Sequence, residues 1–297
     1  MDQFKYVKRE KKVSSADSSS SPSPSSSTSS TSTTSTVPSS TSTVSIQEET
    51  LLLPKIVKQP FKYIVVLDFE ATCDDGTKIK NQEVIEFPSV IVDVEKQQVV
   101  AQFAEYVRPV YNPTLSAFCT QLTGIQQATV DSADIFENVF KRHFKFLVDN
   151  KLLQENGARN EENPFAVLCC GDWDLLQMLP AQCRINKNES GELHYLPPPN
   201  YFTEWINVKK IFEKNYNMSA YGMANMLRQL SIPLVGRHHS GIDDCRNISS
   251  IVIAMLKKGC LFEITTTHKP KPPKEPKQQY PKKDNNNNNN KSSQPPK

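Results

Sequence analysis

Two carboxylates separated by one residue, Asp68 and Glu70 in DFEATC, close the apolar, β-branched run KYIVVL. If that run is a strand, side chains two apart project to the same face, so both acids point together where it ends. Paired anions in a partly buried place repel each other and shift toward neutrality unless a cation joins them, which makes a divalent metal the natural resolution. A DxE alone is commoner in surface turns, so its weight depends on what accompanies it.

Two further segments supply company. In GDWDLL an apolar run gives way to helical spacing, and Asp172 competes with Asp174. Asp172 is expected to cap the helix by accepting a backbone N–H, and Asp174, inside the first turn, to project over the sheet edge. The segment RHHSGIDDCRNISSIVIAML holds two His–Asp pairs at equal spacing, His238 with Asp243 and His239 with Asp244. Helical geometry puts Asp244 in line with Ile248, Ile251 and Met255, and Asp243 with Arg246, Asn247 and Ser250 on a polar side. Asp244 is therefore expected to face the sheet, while Asp243 is free to join Ser240 in an SxxD capping box. Trp173, beside Asp174, and Phe118, in a loop or short helix after Pro113, are large aromatics that either pack in the core or offer a flat face to a ligand.

The elements that must position these residues are legible from periodicity. Lys62 to Asp68 reads as a strand buried on both faces. Val84 to Val94 and Val99 to Val107, separated by the polar turn Glu95 to Gln98, read as an antiparallel meander. Ala133 to Val148 repeats apolar residues at helical spacing, with Ile135, Val139, Phe140, Phe144 and Leu147 on one face. A second buried strand is expected at Phe165 to Cys170, and further helices at Val208 to Phe212, Gly222 to Leu230 and Ile242 to Leu256. Strands followed by alternating helices and strands describe an α/β fold, a mixed sheet with helices on its faces.

Four acids on three segments, each at a strand end or helix start, resemble the DEDDh exonucleases of the ribonuclease H-like fold. DFEATC, LSAFCTQLTGI, GDWD, WINVKK and GRHHSGIDDCRNI, in that order, are similar to the ERI-type exoribonucleases over nearly all of residues 60 to 267. The resemblance implies a central five-stranded mixed sheet and a two-metal site held by Asp68, Glu70, Asp174 and Asp244. It also implies His239 as general base, Phe118 and Trp173 on the terminal base, and backbone donors at Thr123 and Gly124 near the terminal sugar. Carboxylates suit hard Mg²⁺, with Mn²⁺ as an alternative, and an imidazole titrating near ~6.5 can take a proton from water at neutral pH. The expected partner is RNA with a 3′ end, and the expected products are nucleoside 5′-monophosphates. A DNA exonuclease or oligoribonuclease with the same chemistry is the alternative within enzymes. An RNA-binding scaffold that keeps the fold but not the activity is the alternative outside them.

Composition bounds the rest. Of 297 residues, those from Ser14 to Ser45 are almost all Ser, Thr and Pro, and those after His268 are rich in Lys, Pro and Asn. Both stretches have too little apolar surface to offset the entropy of ordering, so 1–50 and 268–297 are expected to be disordered around a nuclease domain at 51–267. The C-terminal stretch carries +6 of a total charge of +3, leaving −3 elsewhere, so the basic character is peripheral. Seven cysteines without a CxxC pair argue against a disulfide framework or a zinc cluster. With no apolar leader and no run near the ~20 residues of a membrane span, the chain is expected to be intracellular, in cytoplasm, nucleus or both. The basic KREKK at Lys8 to Lys12 is a weak nuclear address, and no separate nucleic-acid-binding domain is legible before the nuclease.

Overall fold

A computed structural model describes residues 57–268. The expected disordered tails lie outside the described residues, apart from His268, whose N–H donates to the Thr203 carbonyl at 2.7 Å.

The sheet begins with β1 (Tyr63–Leu67), a two-residue β2 (Glu70–Ala71), β3 (Val84–Asp93) and β4 (Gln98–Tyr106). Strand β1 runs antiparallel to β3 and parallel to β5 (Phe165–Cys169); β6 (Glu204–Asn207) continues parallel, and a two-residue β7 (Thr266–Thr267) closes that edge. Strand β4 pairs with β3 on the side away from β1, as the meander predicted. Five strands of four or more residues thus make the expected mixed sheet. The two short strands and β6 were not legible from periodicity.

Alternation along β1 explains the layers. Val65 and Leu67 join one core with Phe87, Phe165 and Trp205, covered by α3 (Phe136–Asp149) and α4 (Leu179–Ile185). Ile64 and Val66 join the other, under α5 (Val208–Tyr216), α6 (Met223–Gln229) and α7 (Gly241–Lys257). A strand that buries both faces has no polar side to show, hence its unbroken apolar run. Two short helices, α1 (Ala117–Thr123) and α2 (Gln127–Asp131), pack Leu115, Cys119, Ile125 and Val130 against Ile85. The long helix expected at Ala133 to Val148 is α3, begun three residues later. Its His143 is fully buried beneath Phe87, ring centroids 4.4 Å apart, with Nε2 3.0 Å from Ser89 Oγ. Burial pushes that imidazole down to about 3, so it sits in the core as a neutral ring.

Candidate active site

The parallel strands end together, and the site lies at their carboxyl ends. Past Leu67 the chain leaves the β1–β3 ladder, which ends at Leu67 opposite Ser89, and rejoins it at Glu70 opposite Glu86. Pro88 falls in that gap, where the missing N–H costs no ladder bond. Asp68 and Glu70 flank the break. Directly opposed Glu70 and Glu86 are like charges on one face, a destabilising pair unless something else answers them. For Glu86, only 2% exposed, the answer is the start of α7: its two oxygens accept the N–H groups of Gly241 at 2.9 Å and Ile242 at 3.0 Å. A strand carboxylate thereby caps a helix whose first amides have no partner of their own. The approach is so close that a Cβ on Gly241 would lie 2.8 Å from Pro88 Cγ and 2.9 Å from the Asp68 carbonyl oxygen.

Asp174 opens a π-helical turn, Asp174–Met178, that leads into α4. Its Oδ1 accepts the N–H of Phe69 at 2.8 Å, locking the second acidic segment to the residue between Asp68 and Glu70. Asp172 does not cap this helix. Its Oδ1 instead accepts the indole N–H of Trp205 and the hydroxyl of Thr266, each at 3.0 Å, and Lys210 Nζ lies 3.2 Å from Oδ2. The side chain points to β6 and β7 because a buried indole N–H needs a partner more than a water-accessible helix amide does. Trp205 is the core tryptophan, fully buried, whereas Trp173 is 37% exposed beside Asp174.

At α7 the register is as expected: Asp244, Ile248, Ile251 and Met255 are buried, and Arg246 and Ser250 are exposed. Asn247 departs from it. Rather than facing solvent it is buried, its amide exchanging hydrogen bonds with both the N–H (3.0 Å) and the carbonyl (2.8 Å) of Val235. The Ser240–Asp243 capping box does not form, since Ser240 makes no side-chain cap bond and Asp243 accepts the Arg237 N–H at 2.9 Å. With Glu86 already holding the first amides, Asp243 is left to fasten the preceding loop. A third fastening follows: the His239 N–H donates to Asp244 Oδ2 at 2.9 Å, with His239 in the left-handed region at φ 67°. The His238 and His239 rings stack at 4.0 Å and 20°, and His238 Nε2 lies 3.9 Å from Asp244 Oδ2.

Oxygens of Asp68, Glu70 and Asp244 lie within 4.8 Å of one another. Each of these groups is pushed toward its protonated form. Burial, then Asp174 and Glu70, raise Asp68 well above the carboxylate range, and burial, then Asp244 and Glu86, push Glu70 up to about 9. Burial also raises Asp174 and Asp244 to about 6, against the N–H groups of Phe69 and His239 that favour their charged forms. Asp244 Oδ1 is buried with no hydrogen-bond partner among the described residues. Crowded, mutually repelling carboxylates with an orphaned oxygen fit a divalent cation, which would reverse these shifts. His239 moves the other way. Burial and the neighbouring His238 and Arg237 lower its pKa, so the ring is neutral at physiological pH.

Helix α1 packs beside this cluster, with Cys119 Sγ 3.8 Å from the Ala71 carbonyl oxygen and Phe118 partly exposed next to it. The Gly124 N–H is not a free donor. The Thr123 hydroxyl donates to the Cys119 carbonyl and the Gly124 N–H to that of Thr120, both at 2.9 Å, because a helix end consumes these groups itself. The helix end meets the histidine loop: Arg237 donates to the Gln121 carbonyl at 2.6 Å, and a Cβ on Gly124 would lie 2.7 Å from Arg237 Nε.

Clustered carboxylates at the parallel ends of a ribonuclease H-like sheet, with an imidazole beside them, are an arrangement able to hold divalent ions for phosphodiester chemistry. Residues 65–252 match the family described as RNase_T: Exonuclease. ERI1 exoribonuclease 3 of Mus musculus is 39% identical over 213 residues, 70% of this chain and 58% of the relative. 3′-5′ exonuclease Snipper of Drosophila melanogaster is 33% identical over 220 residues, 71% of this chain and 75% of the relative. The solved nuclease domain of 3′hExo, a DEDDh family member bound to rAMP, superposes with a TM-score of 0.61 at 33% identity, over 70% of this chain and 98% of that one. This chain belongs to that exonuclease family. It spans 58% of the length of the mouse relative.

Asp172, Glu86 and Asn247 escaped the sequence reading as positioning residues. Glu86 alone left a signal, an acid in the interior of the largely apolar strand VIEFPSVIVD.

Proposed function

We propose that this chain is a 3′→5′ exoribonuclease that releases nucleoside 5′-monophosphates from RNA 3′ ends. The observation that carries the reading is the convergence of Asp68, Glu70 and Asp244, including an orphaned buried oxygen, next to the neutral imidazole of His239. Asp68, Glu70, Asp174 and Asp244 would hold two divalent ions, Mg²⁺ or Mn²⁺. Bound there, such ions supply Lewis-acid stabilisation of the phosphate and a nucleophilic water at neutral pH. His239 accepts the proton of that water, and its backbone N–H keeps Asp244 turned toward the cluster. Trp173 and Phe118 stack on the terminal base, a contact worth ~1–3 kcal/mol that does not depend on sequence. The names of the relatives and the rAMP in the solved nuclease domain support RNA as substrate.

The test is digestion of matched RNA and DNA oligomers, single-stranded or with recessed 3′ ends, in Mg²⁺ and in EDTA. Stepwise shortening from the 3′ end of RNA, with 5′-monophosphate products and only in Mg²⁺, is the expected result. Binding without divalent-dependent shortening would make the protein a scaffold. Equal cleavage of DNA would remove the preference for ribose.

A further inference from the structure

We propose that His238, His239 and Asp244 form a second metal site, for a borderline transition ion such as Zn²⁺, that switches the nuclease off. Donor atoms of the three lie within 4.8 Å of one another on a loop and helix start, and Asp244 is shared with the carboxylate cluster. Their chemistry differs from that of the carboxylate cluster. Two imidazoles and one carboxylate are a donor set suited to Zn²⁺, Ni²⁺ or Cu²⁺, whereas all-oxygen sites suit Mg²⁺.

Two features point to a ligand here. Asp244 is buried and its Oδ1 has no partner among the described residues, so the carboxylate faces the site incompletely satisfied. Its other oxygen is already oriented by the His239 N–H at 2.9 Å. The two imidazoles are neighbours, ring centroids 4.0 Å apart and 20° from parallel, so one ring must turn before both in-plane lone pairs face one ion. Zn–N and Zn–O bonds near ~2.0–2.2 Å require donors somewhat closer together than these, a closure of roughly 1 Å. His238, with a side chain 44% exposed on the loop, can supply it by a rotamer change while Asp244 stays fixed. Three protein ligands leave a fourth position for water.

The inhibitory consequence rests on the proposed catalytic role of His239, but the site itself does not. An ion held there occupies the His239 lone pair and engages the Asp244 carboxylate that the Mg²⁺ cluster shares, so Mg²⁺-supported hydrolysis stops. Of the three ligands, His238 alone is assigned neither a Mg²⁺ ion nor the reacting water.

The experiment uses the full chain stripped of metal, titrated with Zn²⁺ by calorimetry and with Co²⁺ by visible absorption, beside His238→Ala and His238→Cys. One ion per chain with a tetrahedral Co²⁺ spectrum is expected for the parent and for His238→Cys, which keeps a donor. In His238→Ala, affinity should fall at least as far as the ~10–100-fold typical of losing even a supporting partner. On an RNA oligomer above the acid limb of the rate, Zn²⁺ should inhibit the Mg²⁺-supported rate of the parent, and His238→Ala should stay within a few-fold of that rate while needing correspondingly more Zn²⁺. Unchanged Zn²⁺ affinity in His238→Ala overturns the site. Unchanged inhibition with weakened binding overturns the switch. If no Mg²⁺-supported hydrolysis exists at all, the proposed function fails while the calorimetry still decides the site.

Discussion

On one side of the carboxylate cluster, Glu70 and Glu86 sit in strands held by backbone ladders, and Asp68 directly follows the last paired residue of β1. On the other, Asp244 and the two histidines hang from a loop and a helix start that side chains fasten: Glu86 to Gly241 and Ile242, Asn247 to Val235, Asp243 to Arg237. The strand half is set by many cooperative bonds that no single side chain can undo. The helix half depends on a few side-chain bonds, each contributing about 0.5–1.5 kcal/mol, or more where charge assists. The proposed metal ligands thus divide between the rigid half and the adjustable one, and the proposed proton acceptor lies on the adjustable one.

The largest effects should come from charge removal, which treats both halves alike. Asp68→Asn and Asp244→Asn are each expected to reduce hydrolysis to background while circular dichroism and thermal unfolding show an intact fold. Near-normal turnover in Mg²⁺ for either would remove that residue from the site.

Next comes the proton acceptor. His239→Ala should lose on the order of 10²–10⁴-fold in rate, while His238→Ala stays within a few-fold of the parent. Reversal of that order would move the base to His238. The pH profile sharpens the assignment. Burial and the neighbouring cations lower the His239 pKa, so the ring stays neutral to below the ordinary histidine range and the acid limb of the rate should lie there. Removing the His238 charge eliminates one cause of the lowering and should move that limb to higher pH.

Glu86→Gln asks whether the two halves are joined where they touch. Loss of the charged cap is expected to cost about 1–3 kcal/mol of stability, read by denaturant unfolding, and to lower kcat more than it raises KM. A kcat unchanged beside a clear loss of stability would confine Glu86 to folding. Asn247→Ala should do the same more mildly.

The smallest effect concerns the ends. A fragment 51–268 should retain the activity of the full chain on short oligomers, since its fastenings are internal. Ending at 263 instead removes Thr266 from Asp172, which neighbours Trp173 and Asp174, and should weaken activity. Equal activity of the two fragments would detach β7 from the site.

From sequence alone came the strands that bear Asp68, the meander, the helical faces that turn Asp244 inward, and the acids themselves. These follow from local periodicity, because burial on one or both faces dictates which residue types recur and at what interval. Tertiary structure alone decided what Asp172, Glu86, Asp243 and Asn247 do. Each is a short polar side chain whose partner is a backbone or indole N–H, and the nearest such donor in sequence is not the one it takes. Asp172 passes over its own helix for Trp205, and Asp243 passes over Ser240 for Arg237. The choice depends on which buried donor would otherwise go unpaired, and that is known only once the strands and helices have packed.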